Sequence, residues 1–183
     1  MANIEEQPGL LRPQALIAGY YADPARRLSQ ARDLFNRTAQ QYDPVNRLFS
    51  LGSGAWYRRR CLRRAGLRPG QQVVDVAVGT GLLAREALTV TGDRSAVLGV
   101  DVSEAMLAIA RRNLGIALVQ GAAEALPLAD DVADFVTMGY ALRHVADLVA
   151  TFREALRVLR PGGTLLLLEI STPRRRLSRA LAS

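Results

Sequence analysis

Residues 72–81, Gln-Val-Val-Asp-Val-Ala-Val-Gly-Thr-Gly, decide the fold that the sequence predicts. Four of them are valines and Asp75 is the only charge among them, which is typical of a parallel strand buried on both faces. Gly79 and Gly81 then end the strand, and the apolar spacing of residues 82–88 indicates a helix. A strand, a glycine turn and a helix in this order form half of a βαβ nucleotide-binding unit.

The glycine turn indicates a ligand site, because glycines let backbone N–H groups approach a ligand and a helix N-terminus offers unpaired donors. The pattern Gly79-x-Gly81-x-x-Ala84 also fits the dinucleotide fingerprint. Asp75 opposes that interpretation, since a pyrophosphate gains nothing from a buried negative charge, whereas the ammonium of a bound amino acid would. A turn without any ligand is the remaining alternative.

The bulk composition favours one globular domain. The chain has 183 residues, of which 49% are hydrophobic and 22% charged. No apolar run approaches the ~20 residues that span a bilayer, and residues 1–7 are polar and acidic, unlike a secretory signal. Cys61 is the only cysteine and His144 the only histidine, so we expect neither an internal disulfide nor a metal site. These features predict a cytoplasmic protein.

The formal net charge is +7, and arginines cluster within residues 58–68 and 174–179. Such clusters can contact nucleic acid or an anionic membrane surface, or can lie on solvated helix faces. Only 5% of the residues are aromatic and none follows Phe152, which disfavours nucleic acid because its readers stack bases on aromatic rings. Peripheral membrane contact and a solvated surface stay open as alternatives.

The chain divides into four predicted segments. Residues 1–22 read as an N-terminal arm, and residues 23–66 as a helical cap. In this cap a helix runs from Asp23-Pro24 to about residue 40 and is ended by Tyr42-Asp43-Pro44; a second helix, in which we expect Trp56 to pack, covers residues 55–65. Residues 67–173 form the core, and residues 174–183 a basic tail.

Strands and helices alternate within the core. After the first strand, apolar runs predict strands over residues 96–100, 116–119, 134–138 and 164–170. Helices are expected between them, one capped by Ser103 and one covering residues 146–159. Five strands with intervening helices predict an α/β fold with a doubly wound parallel sheet.

Further candidate ligand contacts follow the second, third and fourth strands. Asp101 ends the second strand, where a carboxylate can accept the ribose hydroxyls of an adenosine ligand. It could instead cap the next helix, but Ser103 already fills that position. The small residues of 121–128 would let an adenine ring lie against backbone, and residues 140–144 should face the crevice where such sheets bind ligands.

These motifs together resemble a known family. The series V-V-D-V-A-V-G-T-G, G-V-D-V-S-x-x-M, G-A-A-E-A-L-P-L, L-R-H-V and V-L-R-P-G-G is similar to that of class I S-adenosylmethionine-dependent methyltransferases, which have a Rossmann-like fold. The upstream pattern F-N-x-x-A-x-x-Y-D-x-x-N of residues 35–46, with Leu142-Arg143 and residues 168–171, resembles the ubiquinone/menaquinone-biosynthesis C-methyltransferases of the UbiE type. The resemblance covers residues 33–173.

The resemblance implies S-adenosylmethionine as the cofactor. Asp75 would lie near its ammonium, Asp101 would hold its ribose, and Met106 would contact its adenine. Ala122 departs from the family, which usually has Asp there, and one lost hydrogen bond would weaken binding by about 1–2 kcal/mol. Ala77 also replaces the more common Gly. The complete implied set is Asp75, Ala77, Gly79, Thr80, Gly81, Asp101, Val102, Met106, Ala122, Ala123 and Tyr140.

The implied reaction is methylation of a small aromatic acceptor, such as a carbon of a quinone-type ring. Arg143 would stabilise a phenolate as a fixed cation, His144 would act as a base near neutral pH, and Tyr42 would orient either ligand. A surface ion pair for Arg143 and a packed ring for His144 are the structural alternatives.

The predicted end of the sheet suggests a partner. Class I enzymes normally continue past the fifth strand into a helix and two further strands, whereas only residues 174–183 follow Pro173 here. We therefore expect an open edge at the fifth strand, covered by a second copy, another partner or the N-terminal arm. With Ala122, this leaves open an alternative function, in which the protein binds the cofactor but is catalytically impaired or partner-dependent.

Overall fold

The structure, a computed structural model, describes residues 26–50 and 53–169, without the side chains of residues 41–50. The helices are α1 (Arg27–Ser50), α2 (Gly54–Arg64), α3 (Leu82–Thr91), α4 (Glu104–Leu114) and α5 (Leu148–Val158). The strands are β1 (Val73–Val76), β2 (Val97–Asp101), β3 (Ala117–Gln120), β4 (Ala133–Gly139) and β5 (Leu159–Leu168). Short 3-10 turns cover Arg94–Ala96 and Leu142–His144.

The five strands form one parallel sheet in the order β3-β2-β1-β4-β5. All four β1 residues are buried, as their apolar sequence predicts. A core on one face includes Val73 and residues of α2, α3 and α4, and a core on the other face includes Val74, Val76 and residues of α5. The predicted doubly wound parallel sheet is confirmed.

The predicted end of the first helix is wrong. Instead of stopping before Pro44, α1 continues to Ser50. A residue before proline disfavours helical backbone, but proline-containing helices are the known exception to this boundary rule. Most other boundaries shift by one or two residues, whereas β5 begins at Leu159 rather than Thr164, with an irregularity in its pairing between Ala133 and Phe135.

Helix α1 lies at the carboxyl edge of the sheet and is tied to the start of α4. Ser103 caps α4, as predicted, by accepting a hydrogen bond from the Met106 N–H at 3.2 Å. The Ser103 hydroxyl in turn donates to Asn36 Oδ1 on α1 at 2.7 Å, and the Ala105 N–H donates to the same oxygen at 3.3 Å. These bonds place the apolar face of α1 over the ends of the strands.

Strand β5 is one edge of the sheet, and residues 164–167 are only half-buried. None of the helices in residues 26–50 and 53–169 is long and apolar enough to cross a membrane. Among those same residues, no cluster of three potential metal ligands occurs. The predicted arm and the whole of the predicted tail lie outside the described residues.

Candidate functional site

The turn after β1 has a backbone that most residues avoid. Ala77, Gly79 and Gly81 all have positive φ angles, of 56°, 56° and 90°. At Gly81 a Cβ atom would also collide with the Leu114 side chain on α4, so glycine is required there for both conformation and space. Ala77 adopts the left-handed conformation despite its Cβ, which costs about 1–2 kcal/mol.

Asp75 is a buried carboxylate with one oxygen left unpaired. Its side chain is 1% exposed, and Oδ1 accepts a hydrogen bond from the Thr137 hydroxyl at 2.6 Å. Oδ2 has no hydrogen-bond partner among the described residues, although the Ala84 amide lies near enough to lower the pKa somewhat. Burial outweighs both donors and raises the pKa of Asp75 to about 7, with the nearby Asp101 charge adding to the rise. Such an atom indicates a ligand with a positive charge.

Asp101 joins the glycine turn to the start of α4. Its Oδ2 accepts from the Gly79 N–H at 2.7 Å, and its Oδ1 accepts from the Ser103 N–H at 2.8 Å. Burial raises the pKa of Asp101, while these amide bonds oppose the rise. Because each carboxylate oxygen can accept two hydrogen bonds, the side chain keeps acceptor capacity for ligand hydroxyls.

Two adjoining cavities open at this end of the sheet. The larger contains about 650 Å³ of space and the smaller about 420 Å³, with the open solvent at their mouths included. Ala77, Gly79, Gly139 and Tyr140 line both cavities and therefore lie at the boundary between them. We call the larger one, which contains Asp101, the apolar lobe, and the smaller one, which contains Asp75, the polar lobe.

The lobes bring together most of the residues assigned from the family resemblance. The apolar lobe is lined by Ala77, Gly79, Asp101, Val102, Met106, Ala123 and Tyr140, and the polar lobe adds Asp75 and Thr80. Gly81 and Ala122 line neither lobe: Gly81 packs against Leu114, and Ala122 forms an isolated bridge with Ala125. Gly81 therefore shapes the turn without lining either lobe.

Sequence reasoning missed several lining residues. Leu28, Ala31 and Phe35 of α1 line the apolar lobe, although their spacing only predicted a packed helix face. Their side chains cover the ends of the strands because α1 is held there through Asn36. Glu124, Gly139 and Val145 line the same lobe, and Arg58 lines the polar lobe. The first three could have been found from their positions at or after the ends of strands, whereas no sequence signal pointed to Arg58.

His144 lines the apolar lobe and contacts Phe35 edge to face, with ring centroids 4.9 Å apart. Burial, followed by the positive charges of Arg143 and Arg27, lowers the pKa of His144 to about 4. The near-neutral pKa expected from the sequence is therefore not what this environment produces. The imidazole is uncharged at physiological pH and is a weak proton acceptor.

The structure does not place the side chains of the other two predicted catalytic residues, Arg143 and Tyr42, in either lobe. Arg143 Nη1 lies 3.6 Å from Glu169 Oε2, and Arg143 lines neither lobe, which agrees with the ion-pair alternative. Tyr42 belongs to α1, but its side chain lies outside the described residues. Trp56 was expected to pack, yet it is 63% exposed, with the Arg60 guanidinium 5.2 Å from its ring centroid.

The arrangement suits a ligand with a cationic end and a flat apolar part. The polar lobe presents the unpaired oxygen of Asp75, while the apolar lobe presents the carboxylate of Asp101 beside apolar side chains. A pyrophosphate would have fewer free backbone N–H donors here. The Gly79 N–H donates to Asp101, and the Gly81 N–H donates to the Val78 carbonyl at 2.9 Å. The geometry thus opposes the dinucleotide interpretation.

Comparison with known proteins agrees with this site. Residues 25–181 match the ubiE/COQ5 methyltransferase family. The chain is similar to the ubiquinone/menaquinone biosynthesis C-methyltransferase UbiE of Shewanella frigidimarina, with 39% identity over 80% of this chain and 61% of the relative. It is equally similar to a demethylmenaquinone methyltransferase of Symbiobacterium thermophilum, with 39% identity over 82% of this chain and 62% of the relative. The chain thus spans about three fifths of the length of these curated relatives.

A solved structure with the same fold is a Haloferax volcanii methyltransferase in complex with the Trm112 methyltransferase activator. It superimposes with a TM-score of 0.63 and 26% identity, over 73% of this chain and 58% of that one.

Proposed function

The chain belongs to the ubiE/COQ5 methyltransferase family, and from this premise we propose that it transfers a methyl group from S-adenosylmethionine to a carbon of a small aromatic, quinone-type ring. The observation that carries the proposal is the unpaired, buried oxygen of Asp75 in the polar lobe, which adjoins the lobe containing Asp101. A sulfonium ligand that also carries an ammonium supplies the positive charge that these carboxylates lack.

The described residues fit this cofactor. Asp75 would accept hydrogen bonds from its ammonium, Asp101 would accept them from its ribose hydroxyls, and Met106 would pack against its adenine. At Ala122 no carboxylate is available for the adenine amino group. The proposed binding set is Asp75, Ala77, Gly79, Thr80, Asp101, Val102, Met106, Ala123 and Tyr140, with Gly81 shaping the turn.

The cofactor supplies an activated methyl group, so positioning provides much of the rate that this chain must add. Asp101 fixes the glycine turn by accepting a hydrogen bond from the Gly79 N–H. Residues of this turn line both lobes. Ala77 and Tyr140, at the boundary between the lobes, would then lie between the ligand's amino-acid end and its adenosine end.

The apolar lobe is where we place the acceptor ring beside the adenosine. Leu28, Phe35 and Val145 offer it an apolar surface that fits an aromatic molecule better than a polar one. The acceptor class is taken from the two relatives, whose names refer to ubiquinone, menaquinone and demethylmenaquinone. Because such quinones are lipid-soluble, we place the reaction on the cytoplasmic side, at the membrane surface.

Ring-carbon methylation is helped when a neighbouring hydroxyl loses its proton. His144 lines the apolar lobe and is proposed to accept that proton, although its lowered pKa of about 4 makes it a weak base for this step. Tyr42 is proposed to orient the acceptor. Arg143 is proposed to stabilise the phenolate, for which it would have to leave its 3.6 Å ion pair with Glu169.

A second candidate is a cofactor-binding protein that needs a partner for activity. Two observations favour it: β5 is an open edge among the described strands, and the Haloferax volcanii structure contains a methyltransferase with its activator. In this case the purified chain would bind S-adenosylmethionine but would not turn over until a partner covered that edge.

Calorimetric titration followed by an activity assay tests both candidates. The chain should bind S-adenosylmethionine and should transfer its labelled methyl group to a demethylated naphthoquinol or benzoquinol, the reduced form that carries the ring hydroxyl. Asp101→Ala should weaken binding at least tenfold, since two backbone amides lose their acceptor together with the ligand hydroxyls. Binding without turnover favours the second candidate, and a wild-type chain that does not bind the cofactor rejects both.

A further inference from the structure

Arg58 on α2 is a half-buried cation that the proposed reaction has not yet used. Its Nε atom is inaccessible to solvent and has no hydrogen-bond partner within residues 26–50 and 53–169. Within the part of the chain that the structure describes, Arg58 forms no ion pair either. It lines the polar lobe together with Asp75, the other residue there that has an unpaired buried polar atom.

The packing of α2 explains why Arg58 faces the lobe. Residues 58–60 are all arginines. Arg59 Nε lies 2.7 Å from Glu86 Oε2 on α3, and Leu62 is fully buried in the core. Arg60 turns outward over Trp56. These contacts fix the rotation of α2, so that only the first of the three arginines lines the polar lobe.

One wall of the polar lobe therefore offers a cation and another an anion, and the two do not satisfy each other. Leaving the buried Asp75 oxygen and the inaccessible Arg58 Nε without hydrogen-bond partners is costly. A ligand that carries an ammonium and a carboxylate on one carbon would satisfy both, whereas a purely cationic or purely anionic ligand would satisfy only one. The lobe is thus complementary to the zwitterionic end of an α-amino acid.

We propose that Arg58 binds the α-carboxylate of the methionine portion of S-adenosylmethionine while Asp75 binds its α-ammonium. This inference rests on the proposed function and adds a determinant of ligand selection to it. Arg58 contacts a part of the ligand that does not react, so it contributes equally to binding of the methyl donor and of the demethylated product. Its loss should raise the KM for the cofactor and leave kcat nearly unchanged.

The test compares two ligands that differ in the amino-acid end. S-Adenosylhomocysteine carries both the ammonium and the carboxylate, whereas 5′-methylthioadenosine has neither and keeps the adenosine. In calorimetric titrations, Arg58→Gln should weaken binding of S-adenosylhomocysteine by about 10- to 100-fold, as expected for a hydrogen bond to a charged group. Its affinity for 5′-methylthioadenosine should stay within about threefold of wild type.

Arg63→Gln is the matched control, because Arg63 is an exposed residue of the same helix and its replacement removes the same charge. It should leave both affinities unchanged. Arg58→Lys should recover part of the lost affinity, because it restores the cation without the planar fork. Thermal unfolding of each variant establishes that the fold is kept.

Three results would overturn the inference about Arg58. Wild-type affinity of Arg58→Gln for S-adenosylhomocysteine would mean that the carboxylate is held elsewhere, and an equal loss for both ligands would mean that Arg58 supports only the fold. If the wild-type chain binds S-adenosylhomocysteine no more tightly than 5′-methylthioadenosine, the inference is refuted. The proposed adenosine site would still stand in that case. Failure of the wild-type chain to bind either ligand would reject the proposed function as well.

Discussion

At the scale of single residues, the site keeps a carboxylate that destabilises the free protein. Asp75 is buried, and its pKa is raised from 3.8 to about 7 by that burial. The folded state therefore holds the proton more tightly than the unfolded state. The protonated Asp75 side chain therefore contributes a stability that is complete below about pH 4 and is lost as the pH rises through 7 and the carboxylate forms.

Asp75→Asn, which cannot ionise, should therefore become more stable than wild type as the pH rises from 5 to 8. A pKa that is raised by one corresponds to about 1.4 kcal/mol, so the relative gain in the free energy of unfolding should be about 2–4 kcal/mol. Urea denaturation across this pH range measures it. Asp93→Asn is the control, because the hydrogen bonds from Ser95 lower the pKa of Asp93 and no such gain should appear. Parallel pH profiles for wild type and Asp75→Asn would contradict the expectation.

His144 leads to a prediction about the pH dependence of catalysis. Because its pKa is lowered to about 4, the ring is neutral throughout the range from pH 6 to 8. A plot of kcat/KM against pH should then show no inflection near 6.5 from this residue, and any inflection should persist in His144→Gln. An inflection near 6.5 that disappears in His144→Gln would show that ligand binding restores an ordinary histidine pKa.

At the scale of elements, the β1–α3 turn requires Gly81 for two reasons that can be separated. Gly81 and Gly92 both have positive φ angles, of 90° and 76°, at the two ends of α3. A Cβ at Gly92 would have nothing within 4 Å, whereas one at Gly81 would meet Leu114. Gly92→Ala thus measures the conformational cost, about 1–2 kcal/mol, and Gly81→Ala adds the collision.

We expect Gly81→Ala to lower the free energy of unfolding by about 2 kcal/mol more than Gly92→Ala, because the buried Leu114 side chain must move to make room. Chemical denaturation of the two variants in parallel provides the comparison. In the double variant Gly81→Ala/Leu114→Ala the collision is removed, so the two substitutions should cost less together than the sum of their separate costs. Strict additivity would show that Leu114 is not the obstacle.

Elements were predicted well from the sequence where one local signal dominated. The apolar run and glycine turn at residues 72–81 predicted β1 and its turn, and Ser103 predicted the start of α4. The end of α1 was not predicted, because a proline penalty of about 3 kcal/mol can be outweighed by contacts elsewhere along the helix. On α5, Leu156 fits the apolar spacing but is 67% exposed, since the helix instead turns Thr151, Ala155 and Val158 towards the sheet.

The site was predictable only to the extent that its residues follow strands. Asp75 was found as the only charge inside β1, just before the turn, and Asp101 from its place at the end of β2. Arg58 could not be singled out from its neighbours, because its direction depends on the Arg59–Glu86 ion pair, which joins residues 27 positions apart. The low pKa of His144 likewise depends on burial and on Arg27, which approaches through the chain's tertiary fold.

At the scale of the whole molecule, β5 is the element whose surroundings matter most. It lies at the sheet edge, and residues 164–167 are half-buried although three of them are leucines. On its outer side, β5 pairs with no other strand among the described residues, and a long aliphatic edge of this kind favours pairing with another chain. We therefore expect the purified chain to self-associate through β5.

Light scattering coupled to size-exclusion chromatography should give a mass above the 19.9 kDa of one chain, and the mass should rise with concentration. Hydrogen exchange would locate the interface: amides of β5 should be more protected at high concentration, whereas amides of β3, at the opposite edge, should not change. A monodisperse mass of one chain at every concentration, with exchange at β5 independent of concentration, would contradict pairing through this edge.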